Sequence, residues 1–576
     1  MEDRTSKEEK SIGVDTPAQD EPPKEEFSHI IDRKHLSHRE YYWLWGSVLV
    51  LAYCTSFEAA VSGGVQGYIT AYFEVSSLTA LLPTIMAALS TSLIPLYTKV
   101  SDVFGRAGSL TFAFTSYMLG LIVAGTAHSY AHLGVGEIIN GIGSTGINTL
   151  SQVVIADTTS LLQRGIMFAL YDVGQLINIW VGQALIDPLT LGGPRDKWRL
   201  AYIITGCVAG FGIVFFLIPL WYVTIQLKRR QVARPPRRSL SWLFTEFDVV
   251  GAVLMTSSVA LTCIPIMVAK RMKNNWNNPG IITMLAVGVA CFIALIVWYV
   301  KFAKRPILSR GVWTNRTVFG GLMVMFLLKL MGHVSWQYLG QYLVVSRNLT
   351  FGQSRMLIHG YGNGWLVAQL ISALIMRKWK CPRILVWVGV VIYITGCALM
   401  IPARNPHATS ALIVLSQSLG GIGGGLAFLP CSVLVTGVVH RRDIASVIGA
   451  TQILVWFGAG VGGAVSGSIW TQYLPTRLHK HVTGPYDEIR AMNDPLKYVK
   501  NLEPVTKSQV IDAYSDSQKL MSIVGLAFAA LTLLCASLLE PIDLEQDQDT
   551  QDRIALGEDV ESLDEDEGSI EVKTKN

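Results

Sequence analysis

Residues 99–106 read Lys-Val-Ser-Asp-Val-Phe-Gly-Arg and join two apolar runs, at 78–97 and 108–127. Each run has about 20 residues, the length of a helix that crosses the hydrocarbon core of a bilayer. The connecting segment carries charges of both signs, and Gly105 suits a tight turn because glycine tolerates backbone conformations that other residues avoid. This stretch therefore predicts two membrane-spanning helices joined by a short charged loop.

Long apolar runs recur along the whole chain. Of its 576 residues, 51% are hydrophobic and only 15% are charged, whereas a soluble domain carries about 25% charged residues. This composition argues against a soluble enzyme and predicts an all-α membrane protein with fourteen transmembrane helices. The fourteen apolar runs lie at 43–63, 78–97, 108–127, 130–155, 165–186, 201–224, 248–268, 280–301, 317–345, 355–376, 384–402, 411–437, 446–470 and 520–539.

Charge is distributed unevenly between the ends and the middle of the chain. Residues 1–40 carry 11 acidic and 7 basic side chains, residues 541–576 carry 13 and 3, and the region between has a net charge of +19. The basic residues stand in short clusters between apolar runs, which excludes a nucleic-acid-binding surface. Loops on one side hold 19 Lys and Arg residues, while short loops on the other hold nine, among them Arg355 and Arg404. The positive-inside rule therefore puts both acidic tails, which have a disordered composition, in the cytosol.

Six residues within the predicted spans, away from the span ends, are ionisable. An ionisable group in the hydrocarbon costs about 2.5–3.5 kcal/mol on insertion scales, so each one is a functional candidate. They are Glu58, Glu137, Asp172, Lys329, His333 and His359. The third, sixth, eleventh and fourteenth runs contain none.

Polar neighbours share a helical face with five of these residues, in four stripes. The stripes are Glu137 with Asn140, Ser144 and Asn148; Asp172 with Gln175 and Gln183; Lys329 with His333, Trp336 and Gly340, and Gln337 alongside; and His359 with Asn363. A stripe of this kind avoids lipid. We expect the four stripes to face a central water-filled cavity, and dry polar packing between helices is the alternative.

Two loops on the predicted cytosolic side pair an acid with a base. Asp102 precedes Arg106, and Asp157 precedes Arg164, each at the end of a helix. Such charges can lock helix ends together in one state and release them in another. The chain has no phosphate-binding Gly-rich motif and no metal-binding motif, so we expect no cofactor, and active transport would draw on an ion gradient.

The segment 471–519 is a long predicted outside loop among short connections. It contains Tyr473, His479, His481 and Tyr486, which could stack on a ligand or bind iron. A passive insertion is the alternative interpretation. A glycosylation sequon begins at Asn348 in another outside loop, close to the membrane.

These motifs resemble those of a known family. The segment Ser101-Asp102-Val-Phe-Gly105-Arg106 resembles the loop signature of the major facilitator superfamily, although Thr98 stands where that motif begins with Gly. Within this superfamily, the chain resembles the fungal siderophore–iron transporters in four segments. They are Asp102–Ala107, Gln152-Val-Val-Ile-Ala-Asp157-Thr-Thr-Ser with Arg164, Ser466-Gly-Ser-Ile-Trp470-Thr-Gln-Tyr-Leu-Pro475, and the long loop that follows. The resemblance covers roughly residues 40–540.

The resemblance implies a major facilitator fold of six, two and six helices with a substrate site between two bundles near the membrane midplane. The implied segments are a six-helix bundle at 41–226, a basic cytosolic loop at 227–247, two linker helices at 248–301 and a second six-helix bundle at 312–540. Every ionisable mid-span residue falls on a helix that lines the cavity in that fold.

The implied function is import of a ferric siderophore, of the hydroxamate type, by proton symport. The protein would be a monomer in the plasma membrane or in an endosomal or vacuolar membrane. Candidates for carrying the proton are Glu58, Glu137 and Asp172; for binding substrate, Lys329, His333, Trp336, His359, Asn363, Tyr473 and Tyr486; and for a cytosolic gate, Asp102, Gly105, Arg106, Asp157 and Arg164.

Four alternatives remain open. A haem importer of the same fold would use His479 and His481 as iron ligands, and a glutathione–proton exchanger is a side branch of the family. Fourteen-span drug–proton antiporters carry an Arg where this chain has Glu137, and a Gly-Pro element that its fifth span lacks. A receptor-like sensor would carry long signalling tails, whereas the tails here are short and acidic.

Overall fold

The computed structural model describes residues 36–158, 161–190, 196–229, 248–272, 274–302, 315–439, 441–494 and 498–541. Helices make up nearly all of these residues, and none of them forms a strand. The predicted tails, apart from 36–40 and Pro541, and nearly all of the basic loop at 227–247 lie outside the described residues.

Among the described residues, the first half of the chain contains six long helices, and two more follow. They are α1 (His38–Tyr72), α2 (Leu81–Phe104), α3 (Arg106–Gly125), α4 (Tyr130–Thr158), α5 (Leu161–Thr190), α6 (Trp198–Arg229), α7 (Val249–Val268) and α8 (Pro279–Val297). The second half contains α9 (Arg316–Trp336), α10 (Leu339–Arg347), α11 (Phe351–Trp379), α12 (Pro382–Ala403), α13 (Ser410–Gly437), α14 (Arg441–Ser468), α15 (Leu474–His481), α16 (Glu488–Asn493) and α17 (Pro504–Ala536).

A long helix coincides with each of the fourteen apolar runs. In the described part of the chain, eleven candidate spans are long and apolar enough to cross a membrane. The helices that fall short are α4, α5 and α11, which carry three of the four polar stripes. Side chains of these stripes lower the mean hydropathy of the helices without shortening them.

Local chemistry fixes several helix ends. Ser37 and Glu40 form a capping box at the start of α1, with bonds of 2.8 and 3.3 Å, and Thr350 and Gln353 form another before α11. These bonds satisfy backbone N–H groups that have no partner within the helix. Gly105 has a φ of +85° and separates α2 from α3, so the predicted tight turn requires the glycine.

The long helices form two halves, α1–α6 and α9–α17. The halves meet where α2 packs against α14 and where α5 packs against α11, and α7 packs against both α2 and α14. We call the membrane face that carries residues 73–80 and 469–503 the loop face, and the opposite one, which carries the start of α1 and the end of α17, the tail face.

Two predicted boundaries differ from the structure. The run at 317–345 breaks at Gln337–Tyr338 into α9 and α10. The region 471–519 contains α15 and α16, and α17 begins at Pro504, well before the predicted start at 520. Residues 504–519 are too polar to register as a span. They form a helix because they pack against α15 at the loop face.

Candidate functional site

One face of α9 borders the space between the halves. Most residues from Gly320 to Gly340 are buried, and the partly exposed ones form a single stripe. The stripe consists of Met323, Phe326, Lys329, His333, Trp336, Gln337 and Gly340. The polar residues that share this face in the sequence are therefore the ones that reach open space.

Aromatic rings on α9, α11 and α13 line the same region. Ring centroids are 5.9 Å apart for Trp336 and Tyr361, 6.0 Å for Tyr361 and Trp365, and 5.4 Å for Trp365 and Phe428. The Lys329 ammonium lies 4.7 Å from the centre of the Trp365 ring. This is a cation–π arrangement, in which the ring face attracts the charge. We call Lys329, Trp336, Tyr361, Trp365 and Phe428 the aromatic row.

Tight helix packing positions this row. Gly421 on α13 packs directly against the backbone of α11, so that a Cβ atom there would overlap the carbonyl oxygen of Tyr361. Gly425, one turn further, meets the carbonyl oxygen of Trp365 in the same way. The two rings therefore stand on a helix that the glycines hold close to α13.

The other half contributes groups to the same space. Asp172 on α5 lies close enough to Lys329 for electrostatic attraction. Trp180 on α5 and His359 on α11 have ring centroids 6.3 Å apart. Asn363 is half-buried on the same side of α11, and its side-chain oxygen is bonded to no described residue. The region thus combines one carboxylate, one ammonium, amide groups and several aromatic rings from both halves.

Two candidate carboxyl groups lie within the first half instead. The Tyr202 hydroxyl donates to Glu137 at 2.7 Å, and the Ser62 hydroxyl donates to Glu58 at 2.7 Å. Asn140 donates to the carbonyl oxygen of Tyr117 at 3.4 Å. The prediction that all four stripes face one cavity is therefore wrong for the stripe on α4. At one end of this stripe, Glu137 bonds to α6 and Asn140 bonds to α3. The other end turns towards α5, where Tyr171 donates to Asn148 at 3.3 Å.

Hydrogen bonds join the halves at the loop face. The Tyr338 hydroxyl donates to the Ser77 carbonyl at 2.9 Å, and the Gln341 amide donates to Thr79 at 2.5 Å. Ser77 also donates to Asn493 of α16 at 2.7 Å. These residues lie between 261 and 416 positions apart in the chain, so no local pattern could have revealed them.

A second link at the loop face connects α5 with α11. Asp187 accepts hydrogen bonds from the Gly352 backbone N–H at 3.1 Å and from Thr350 at 3.4 Å. The carboxylate faces the N-terminus of α11, where a negative charge is favourable. Arg355, one turn into α11, lies beside Gly63 of α1. The sequence placed Arg355 in a loop, whereas it belongs to this helix.

The predicted cytosolic gate is partly visible at the tail face. Arg106 bonds to Asp157 at 3.0 Å and donates to Ser101 at 2.6 Å, and the two charged side chains are only 6% and 14% exposed. Both residues belong to the first half, so this pair joins α3 to α4 rather than one half to the other. Gln452 donates to Gln152 at 3.1 Å and does connect the halves. The side chains of Asp102 and Arg164 lie outside the described residues.

The candidates in the 471–519 region bond to each other and to α17. His479 contacts Glu488 at 2.7 Å, and His481 contacts Asp516 at 3.0 Å. Tyr473 bonds to Arg477 at 2.6 Å. Burial and then the Glu488 carboxylate raise the pKa of Tyr486, which disfavours a phenolate. Within the described residues, no group of three or more His, Cys, Asp or Glu side chains could hold a metal ion.

Comparison with known proteins identifies the family. The profile of the Major Facilitator Superfamily matches residues 48–464. The chain belongs to the major facilitator superfamily, whose members are transporters, and it is thus a multi-pass membrane transporter and not an enzyme. The predicted resemblance to fungal siderophore transporters is also confirmed by relatives that align over most of the chain.

Two curated relatives illustrate this similarity. Siderophore iron transporter mirC of Emericella nidulans is 26% identical, with 86% of this chain and 83% of the relative covered. Siderophore transporter fer7 of Mycosarcoma maydis is 26% identical over 93% and 85% of the two chains.

Solved structures show the same fold at low identity. A bacterial homologue of the human lysosomal transporter Spinster, in an inward-facing and occupied conformation, has a TM-score of 0.59 at 14% identity, covering 87% of this chain and 97% of that one. A POT family transporter in complex with a thioalcohol-conjugated peptide has a TM-score of 0.54 at 12% identity, covering 88% and 98%.

Proposed function

We propose that this protein imports ferric siderophores of the hydroxamate type by proton symport. Fourteen transmembrane helices would leave both tails in the cytosol, with the loop face outside the cell or in the lumen of an endosome. The observation that supports this most directly is the aromatic row opposite Asp172, together with relatives named as siderophore transporters over 86% and 93% of this chain.

The chemistry of the site suits such a cargo. A hydroxamate siderophore already saturates its ferric ion, so a transporter holds the complex by stacking and hydrogen bonds rather than by ligating iron. Trp336 and Tyr361 offer apolar faces, and Lys329, His333, His359 and Asn363 offer polar contacts along the same surface. A large polar complex fits a site assembled from two halves better than a closed apolar pocket.

Proton coupling would act through carboxyl groups whose charge affects the attraction between the two halves. Protonation of Asp172 removes its attraction to Lys329, which weakens one electrostatic link between α5 and α9. Glu58 and Glu137 lie within the first half and would relay the proton through their hydroxyl partners Ser62 and Tyr202. A proton would thereby change how readily the halves separate.

Haem is a weaker candidate for the cargo. His479 and His481 both contact carboxylates, and the Tyr486 hydroxyl lies 3.3 Å from His479. Iron ligation would first have to break these contacts. Tyr473 and Tyr486 remain proposed contacts for the organic part of a siderophore at the loop face.

Uptake by whole cells tests the proposal. Cells that lack other iron importers would express the full chain and receive labelled ferrichrome, ferrioxamine, haemin or glutathione. We expect uptake of a hydroxamate complex and none of the other two classes. Uptake of haemin or glutathione alone, with normal expression at the cell surface, would contradict the assignment.

A further inference from the structure

Arg404 directly follows α12 and is fully buried inside the second half. Its relative exposure is 0%. Its side chain makes one described hydrogen bond, from Nη2 to the carbonyl oxygen of Ser335 at 3.4 Å. Nε and Nη1 have no hydrogen-bond acceptor in the described part of the chain.

The guanidinium group keeps its charge despite this burial. Burial lowers the pKa of Arg404 to about 10, so the group stays protonated at neutral pH. Among the described residues, no carboxylate forms an ion pair with Arg404. Asp516, the acid near this end of α17, contacts His481 and Arg477 instead. A buried charge without a counter-charge costs several kcal/mol as an order of magnitude.

Gln518 lies on the part of α17 that packs near Arg404. Ser515, one turn earlier on α17, donates to the Arg404 carbonyl oxygen at 2.6 Å, and Gly525, two turns later on the same face, packs against the Ser335 hydroxyl. Gln518 falls between these two contacts along α17. It is 0% exposed, and neither its amide nitrogen nor its amide oxygen has a described partner.

Gln417 belongs to α13, which packs along α12. It lies one turn before Gly420, which packs against Met400, and Met400 lies one turn before Arg404. Gln417 is also 0% exposed, and both of its amide atoms lack a described partner. Helix register thus places three buried side chains with unused N–H donors, from three elements, in the same part of the second half.

We propose that Arg404, Gln417 and Gln518 form a binding site for a small inorganic anion, chloride in the cell. A guanidinium and two primary amides supply only N–H donors to a ligand, once each amide turns its nitrogen inward. An anion balances the buried charge, which water cannot do. The site is independent of the proposed transport substrate, and it stabilises the second half of the protein.

Chloride dependence of thermal unfolding tests this site. Purified full-length protein in detergent is melted in potassium chloride, potassium bromide and potassium gluconate at equal ionic strength. We expect the melting temperature to rise saturably with chloride and bromide but not with gluconate, whose anion is too large. Gln518→Leu should weaken the apparent chloride affinity about 10-fold, because a hydrogen bond to a charged group is lost.

Matched variants separate the site from general salt effects. Arg404→Lys keeps the charge and should retain a weakened response, whereas Arg404→Gln should lose it. Arg490→Gln removes an exposed arginine of α16 and should leave the response unchanged. If Arg404→Gln does not fold, the Gln518→Leu titration and the position of bromide in crystals of the wild-type protein decide the matter. Equal melting in chloride and gluconate, or bromide absent from Arg404, would show that water alone fills the position.

Discussion

The hydroxyl group of Tyr338, in the break between α9 and α10, donates a hydrogen bond to the carbonyl oxygen of Ser77 at 2.9 Å. The two residues belong to opposite halves of the protein. Together with the Gln341 and Asn493 bonds to the same segment, this contact closes the loop face. Tyr338 also stacks on Trp470 at 4.7 Å, which holds its hydroxyl towards Ser77.

Tyr338→Phe should therefore favour opening of the loop face. The variant loses the hydroxyl, and a hydrogen bond contributes about 1 kcal/mol net. Spin labels at Thr126→Cys and His407→Cys, in a background without Cys207 and Cys381, would report the separation of the halves. Tyr393→Phe is a matched control, because its hydroxyl donates to Leu328 within one half. We expect longer distances for Tyr338→Phe only, and identical distances for both variants would contradict this role.

The Arg106–Asp157 pair should matter more for stability than an exposed pair would. Removal of one partner from a buried pair costs about 3–5 kcal/mol, because the other charge stays buried. Asp157→Ala should lower the free energy of unfolding by at least about 1 kcal/mol, and it should slow uptake. The double variant Arg106→Ala with Asp157→Ala should lose less stability than the sum of the single variants. Additive losses would show that the two charges do not interact.

Lys329→Gln should weaken substrate binding. The substitution removes the cation from the aromatic row but keeps a polar side chain of similar length. We expect the half-saturation concentration for a ferric siderophore to rise about 10-fold, since a desolvated cation contact is worth roughly 1–2 kcal/mol. Lys378→Gln, at the exposed end of α11, is the control. A larger loss in the control than in Lys329→Gln would remove Lys329 from the site.

Gly421→Ala should displace the aromatic row. The added methyl group would overlap the backbone of α11 at Tyr361, and overpacking of this kind costs about 1–3 kcal/mol. Gly449→Ala serves as the control, because a Cβ atom at that helical position meets nothing within 4 Å. Thermal unfolding and siderophore uptake should both suffer in the first variant and stay near wild type in the second. Equal melting temperatures would contradict the packing argument.

The sequence predicts the helices well because each hydrophobic run has the length that a bilayer requires. It also groups Lys329, His333 and Trp336 on one face, since helical spacing alone determines that relation. It fails where partners are distant in the chain, as for Tyr338 with Ser77. It also assigns Arg355 to a loop although this residue belongs to α11, and it misses the burial of Arg404, because counting bases between apolar runs cannot distinguish a solvated arginine from a buried one.

The most direct test of the account is transport by the purified protein in liposomes. The vesicles would carry an imposed proton gradient, acidic at the loop face, and receive ferric ferrichrome labelled with radioactive iron. We expect accumulation that stops when a protonophore collapses the gradient and that is impaired in Asp172→Asn at normal protein density. Accumulation at the full rate without a gradient would contradict proton coupling, and the absence of any ferrichrome transport by correctly folded protein would contradict the central claim.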